Sequence, residues 1–356
     1  MTSLPEQATL LHHGGRLRSA AARYGIALDR WLDLSTGVNP NGWPVPAIPA
    51  ACWARLPEDD DGLERAAQSY YEAEYVLPVA GSQAAIQALP RLRPHSRVAV
   101  LDPGYAEHAC AWRRAGHEVA AVAAERLDEV VQDSDVLLLI HPNNPTGARF
   151  PVEQLLDWHA RLAARGGWLV VDEAFMDVTP EHSLCHYSTR PGLIVLCSLG
   201  KFFGLAGARV GFVCAQPALL ERLHGLLGPW SVSAPARWVA GAALADRAWQ
   251  NAARQRLCTD GARLQVMLAQ HGLVPDGGCA LFQWVRTPDA QELHDELARQ
   301  GILSRLFIEC SSLRFGLPGD ATDWARLEEA LSRLTIRHHQ SLPKITAAQV
   351  SATSLL

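Results

Sequence analysis

Between residues 76 and 214 the chain carries seven short apolar runs, and most of them do not alternate with polar residues. They lie at 76–80, 97–101, 119–123, 136–140, 168–171, 193–197 and 210–214; "VLLLI" and "LIVLC" are typical. Successive side chains of a strand point to opposite faces of a sheet, so a strand with one wet face alternates. A run that is apolar at every position suits a strand covered on both faces, as in a parallel sheet flanked by helices. The stretches at 82–89, 106–115 and 152–164 read as helices. Strand–helix alternation over 45–235 therefore predicts an α/β domain: a mostly parallel seven-stranded sheet with helices on both faces.

Residues 236–270 read as helical, rich in Ala, Leu and Arg. An apolar strand at 279–285, a helix at 290–300, "GILSRL", "SSLRFGLP" and a last helix at 323–334 follow. This βαβ-like stretch predicts a smaller α+β domain over 236–340, with residues 1–44 as an N-terminal arm that joins it in part. Residues 341–356 carry no packing pattern and are expected to be loosely ordered. The net charge is −5, and basic residues cluster only at Arg16/Arg18 and Arg91/Arg93, which argues against nucleic acid or an anionic membrane as partner. No apolar run is long enough to span a bilayer, and the first residues lack a signal-peptide pattern. The eight cysteines form no Cys-x-x-Cys pair and are expected to be reduced thiols of a cytoplasmic protein, with no metal site.

Glycine and polar signatures sit just after the strands. Gly81-Ser82-Gln83 follows the first, Asp102-Pro103-Gly104-Tyr105 the second, "HPNNPTG" (141–147) the fourth, Asp172-Glu173 the fifth and Ser198–Lys201 the sixth. Ligands of open α/β sheets bind outside the carboxyl ends of the strands, so these residues are expected to converge. Backbone N–H groups at Gly81, Ser82 and Gln83, the Ser198 hydroxyl and the Arg209 guanidinium are suited to one phosphate. Asp172 is placed to pair with a protonated ring nitrogen, Asn144 to bond a ring hydroxyl and Tyr105 to stack on a ring face. Lys201, in the otherwise apolar "SLGKFFGLAGAR", is placed to form a Schiff base with an aldehyde. Together these features describe a site for pyridoxal 5′-phosphate.

"NNPTG", "DEAF" and "SLGKFFGLAGARVG" resemble the class I/II aminotransferase superfamily, the fold-type-I pyridoxal phosphate enzymes, over nearly the whole chain. The resemblance implies that Lys201 is the Schiff-base lysine and Asp172 the partner of the pyridine nitrogen. It implies that Asn144 contacts the ring hydroxyl, that Ser82, Gln83, Ser198 and Arg209 hold the phosphate, and that Arg314 takes a substrate carboxylate. Phe175 stands where the superfamily usually has Tyr, which removes one hydrogen bond to the cofactor. Leu56 stands where related enzymes have a Tyr that reaches the cofactor phosphate of the partner subunit. "HHGG" and "LDLSTGVNPNG" are similar to the L-threonine O-3-phosphate decarboxylases of cobalamin biosynthesis. That similarity places His13, Ser35, Thr36, Gly37 and Asn39 on the substrate side with Asn144 and Arg314, and "GILSRLFIEC" places Arg305 near a substrate phosphate. It implies a homodimer that decarboxylates a small phosphorylated amino acid. A histidinol-phosphate-type aminotransferase, with the same fold and cofactor, is the alternative.

Overall fold

The computed structural model describes residues 13–334; the tail at 341–356 lies outside them. In chain order, the strands of the first two thirds are β1 (Leu32–Asp33), β2 (Val76–Val79), β3 (Arg97–Leu101), β4 (Glu118–Val122), β5 (Val136–Ile140), β6 (Trp168–Asp172), β7 (Leu193–Ser198) and β8 (Gly211–Cys214). Strands β2 to β8 form one sheet in the order β2-β8-β7-β6-β5-β3-β4. Every neighbouring pair is parallel except those of β8, which runs antiparallel to both β2 and β7. The fold is a mostly parallel α/β sheet with a separate, smaller antiparallel sheet.

All residues of β5, β6 and β7 are buried, and consecutive residues enter different cores. Leu137, Leu139, Leu169, Val171, Val195 and Cys197 join one hydrophobic cluster. Val136, Leu138, Val170, Ile194 and Leu196 join another on the opposite face. Both faces are covered by helices, which is why these runs show no polar alternation. The edge strand β4 is the counterexample: three of its five residues are exposed, and it begins one residue earlier than its apolar run.

The remaining strands are β9 (Gly277–Cys279), β10 (Phe282–Arg286), β11 (Ile302–Leu303), β12 (Arg305–Phe307) and β13 (Ser312–Gly316). The expected single strand at 279–285 is a hairpin, with β9 antiparallel to β10. The expected βαβ-like unit is corrected in the same way: β10 pairs antiparallel with β13, and β12 pairs antiparallel with β13. The continuous helix read over 236–270 is two, Ala234–Ala245 and Arg247–Gln270. Asp246 separates them, and its carboxylate accepts the Trp249 N–H at 3.0 Å as an N-cap.

Long-range pairings tie the ends of the chain to the sheet. Strand β1 runs parallel to β11, so the N-terminal segment lies beside the C-terminal one. From there the chain passes to the lysine loop, where the Asn39 N–H donates to the Lys201 carbonyl at 2.9 Å. The turn after β5 abuts the β9–β10 hairpin. A Cβ on Gly147 would lie 2.0 Å from the Gly278 carbonyl oxygen, so only glycine permits this approach. Among the described residues, no helix is long and apolar enough to cross a membrane.

Candidate active site

The carboxyl ends of β2, β3, β5, β6 and β7 open on one edge of the sheet. Because β8 is reversed, its start faces the same edge, with Gly211 opposite both Val79 and Ser198. Reversal of one strand thus brings Arg209 to the ends of the others.

Gly81 adopts φ +71°, and an added Cβ would lie 2.7 Å from Arg209 Nη2. The guanidinium lies against the backbone at the start of the Ser82–Ala88 helix, whose first N–H groups have no carbonyl partner within the helix. Gly211 packs on the same turn, where a Cβ would come within 2.5 Å of the Ser82 nitrogen. Ser198 ends β7, and its hydroxyl accepts the Gly200 N–H at 3.2 Å. The result is a small anion cradle of amides, one hydroxyl and one guanidinium.

Asp172 is buried at the end of β6. Its Oδ1 accepts the Ala174 N–H at 3.0 Å, and its Oδ2 lies 2.9 Å from Nε2 of the buried His108. Sequence reasoning missed His108. Its signal is a histidine three residues after Tyr105 on the inward face of the Ala106–Arg114 helix, beside the buried Ala111 and Trp112. It fixes the Asp172 carboxylate, and the Tyr105 ring meets it edge-on at 6.0 Å. The Tyr105 hydroxyl donates to Gln83 Oε1 at 3.3 Å. Burial, aided by the Glu107 and Asp172 carboxylates, pushes the phenol up to about 12, so it stays protonated.

Lys201 sits in the loop after β7, with Nζ 5.4 Å from the centroid of the Phe175 ring. The pocket pushes its ammonium down to about 8. Burial is the main cause and Arg314 the next; Arg209 adds a little and Asp172 opposes. The neutral amine is the form that attacks an aldehyde. Lys201 of the cofactor-free enzyme is therefore expected to capture pyridoxal phosphate faster as pH rises through about 8, and then at a constant rate. Stopped-flow absorbance measures this. A rate that keeps rising toward the ordinary lysine value of 10.5 would show an unperturbed amine.

Arg314 lies in β13 directly opposite Arg305 of β12, and directly opposed residues of an antiparallel pair project to the same face. Arg314 is buried. Its Nη1 donates to Asn144 Oδ1 at 2.5 Å and its Nη2 to the Ser35 carbonyl at 2.9 Å, while Nε has no partner. Burial, with Arg305 close by, pushes Arg314 down to about 10. A buried guanidinium bonded to neutral acceptors only, with one N–H unused, is a site built for an anion.

The arm residues divide by role. His13 Nε2 lies 2.8 Å from Glu107 Oε1, and its ring centroid is 5.8 Å from that of Tyr105, so it borders the pocket. Glu107, also missed from sequence, accepts from Gln83 and Gln87 at 3.0 Å each. The Ser35 hydroxyl donates to Asp33 Oδ1 at 2.6 Å and accepts the Gly15 N–H at 2.7 Å. It therefore positions the backbone that carries the carbonyl bonded to Arg314. Thr36 is half-buried beside Gly15. Gly37 is fitted against Phe175 and Phe282; a Cβ there would lie 2.8 Å from Phe175 Cε1. The Asn39 amide donates to the Phe202 carbonyl at 2.8 Å, so it braces the lysine loop.

These residues fit pyridoxal phosphate. The Gly81–Arg209 cradle suits its phosphate, the Asp172–His108 pair its ring nitrogen and Lys201 its aldehyde. The model of the family described as aminotransferase class I and II matches residues 57–334. The threonine-phosphate decarboxylase of Pseudomonas aeruginosa is 58% identical over 322 residues, 90% of this chain and 97% of that protein. The threonine-phosphate decarboxylase of a Sinorhizobium species is 42% identical over 331 residues, 91% and 98% of the two chains. In fold, the chain is similar to the crystal structure of histidinol-phosphate aminotransferase from Sinorhizobium meliloti in complex with pyridoxal-5′-phosphate. The TM-score is 0.79 at 20% identity, covering 93% of this chain and 97% of that one. With the family model spanning the large sheet, the lysine loop and the smaller antiparallel sheet, the chain belongs to the aminotransferase class I and II family.

Proposed function

We propose that the protein decarboxylates L-threonine O-3-phosphate, giving CO2 and (R)-1-amino-2-propanol O-2-phosphate for the aminopropanol side chain of cobalamin. Its cofactor is pyridoxal 5′-phosphate, which when bound supplies an electron sink for the bond broken at Cα. Two relatives, 58% and 42% identical along nearly their full length, carry the name threonine-phosphate decarboxylase. The observation in this chain that carries the proposal is the cross-strand pair of Arg305 and Arg314, which offers two guanidiniums on one face of the small sheet to a substrate with two anionic groups.

In this proposal Arg209, Ser198 and the amides of Ser82 and Gln83 hold the cofactor phosphate. Asp172, kept in place by His108, holds a proton on the ring nitrogen, and Tyr105 covers one ring face. Arg314, backed by Asn144 and Ser35, orients the substrate carboxylate, and Arg305 takes the substrate phosphate with His13 at the rim. Once the Cα–carboxylate bond has broken, the Lys201 ammonium delivers the proton that replaces CO2 at Cα. Burial, which lowers this ammonium in the cofactor-free site, favours release of that proton. Trp53, Leu56 and Trp230 are large exposed apolar side chains, and Pro57 and Trp230 line one cavity of about 230 Å³. In this proposal the protein works as a cytoplasmic homodimer.

The test is to incubate the pure holoenzyme with L-threonine O-3-phosphate, without any keto acid, and to measure CO2. One CO2 per substrate consumed is expected. Keto-acid-dependent conversion of the cofactor to its pyridoxamine form, with no CO2, would overturn the proposal in favour of a transaminase.

A further inference from the structure

Three cysteines distant in sequence meet beneath the sheet. Cys197 is in β7, Cys214 is in β8, and Cys185 follows Leu184 in a short turn; all three belong to the same hydrophobic cluster and are buried. Their sulfurs lie within 4.8 Å of one another, and the Cys185 and Cys197 Sγ atoms are 3.4 Å apart. A tetrahedral zinc-type ion binds thiolate sulfur at about 2.3 Å, which puts ligand sulfurs about 3.8 Å apart, inside this range.

A carboxylate lies beside one of the three sulfurs. Glu173 Oε2 lies 3.8 Å from Cys185 Sγ. Its orientation is fixed by the Ser183 hydroxyl, which donates to Oε2 at 2.5 Å, and by the Leu184 N–H, which donates to Oε1 at 2.7 Å. Oε2 also accepts the Cys185 S–H, while Oε1 keeps a lone pair after accepting one hydrogen bond. Outer bonds of this kind orient metal ligands.

There is also a way in. Cys197 and Glu173 both line a cavity of about 380 Å³ that includes none of the residues assigned to the cofactor. Its wall carries the carboxylates of Glu72, Asp177 and Glu181 as well. Asp177 Oδ2 and the Tyr71 hydroxyl, both on this wall, are buried and have no hydrogen-bond partner. An acid-lined approach with unsatisfied oxygens favours a cation over an anion or an apolar ligand.

The geometry points to a soft, divalent metal site formed by Cys185, Cys197 and Cys214, with the Glu173 carboxylate beside Cys185, separate from the pyridoxal phosphate pocket. The occupant is a thiophilic ion of the zinc and cadmium class, since three thiolates select such ions over calcium or magnesium. As the ion binds, each thiol releases its proton to solvent, so affinity rises with pH. No oxidation or reduction is involved.

The test uses reduced holoenzyme and cadmium ion as the probe. After exchange into metal-free buffer, elemental analysis is expected to find one cadmium per chain, together with an ultraviolet cadmium–thiolate charge-transfer band. Cys197→Ala is expected to weaken binding at least about 100-fold, whereas Cys258→Ala, which changes an exposed cysteine, leaves it unchanged. The cofactor's visible band and the unfolding midpoint identify any variant that fails to fold. Wild-type enzyme that retains no cadmium overturns the site without reference to a variant. Cadmium lost from Cys258→Ala but kept by Cys197→Ala places the ion on the surface and overturns it too. The outcome does not depend on which reaction the pyridoxal phosphate pocket performs.

Discussion

Lys201→Ala is expected to abolish turnover, by a factor on the order of 10⁴ to 10⁶, as removal of a covalent catalytic group does. The sheet edge should be unaffected, because the backbone of the lysine loop is braced independently of the side chain. Asn39 holds the Phe202 and Lys201 carbonyls, and Phe202 and Phe203 are fully buried on either side of the Trp249 ring contacts. Two further readouts separate a chemical role from a structural one. Pyridoxal phosphate added to the variant should keep the spectrum of an aldehyde, because no lysine remains to capture it. The cofactor-free variant should be more stable than the parent below about pH 8 and lose that advantage above it. The sign follows from linkage: the amine is lowered to about 8 in the fold and titrates near 10.5 when unfolded. The unfolded chain therefore binds more protons between these values, so the parent gains stability as pH rises through that window and the variant does not. A variant that keeps wild-type turnover, or keeps the wild-type visible spectrum, would remove Lys201 from the site.

Arg314→Met is expected to raise KM for the phosphorylated amino acid by about two to three orders of magnitude, the loss typical of truncating a buried charge-assisted contact. Its stability should stay within about 1 kcal/mol of the parent, because two opposing effects meet at this position. Methionine leaves Asn144 Oδ1 and the Ser35 carbonyl without their donor. It also removes a buried cation that has no carboxylate partner and one unused N–H. If Arg314 were a structural residue, its loss would cost about 3–5 kcal/mol and leave KM alone. Thermal unfolding and steady-state kinetics on the same preparation decide between the two. Arg305→Met provides the comparison. It is half-buried, opposite Arg314 across the strand pair, so it should change KM with a smaller effect on stability.

Much of the seven-stranded sheet is legible from local pattern. Strands 97–101 and 136–140 match their apolar runs residue for residue, since burial on both faces leaves a continuous signal. The strand at 118–122 was displaced by one residue because an exposed edge strand carries no such signal. The hairpin at Gly277–Cys279 and Phe282–Arg286 reads in sequence as one strand because its turn, Ala280-Leu281, is apolar. Leu281 is fully buried, so the core overrode turn chemistry. Asp246, by contrast, was a readable helix start that the Ala-rich context masked.

The site shows the same division. Lys201, Asp172, Asn144, Ser198 and Arg209 stand out in the sequence because each follows or precedes a strand at short spacing, where sequence distance and spatial distance agree. His108 and Glu107 are not legible locally, because nothing distinguishes a helix histidine that meets a carboxylate 64 residues away from one that fills a core. The chain's own order of residues determined the strands, the helices and the lysine, aspartate and glycine signatures at their ends. Periodicity and backbone preference act within a few residues and need no partner. Only the tertiary structure decided that β8 runs backwards and delivers Arg209, that Arg305 and Arg314 face each other, and that three scattered cysteines meet in one cluster. Those arrangements are set by strand register and by packing between segments far apart in the chain, where many pairings are compatible with the same local pattern and burial of the whole core selects one.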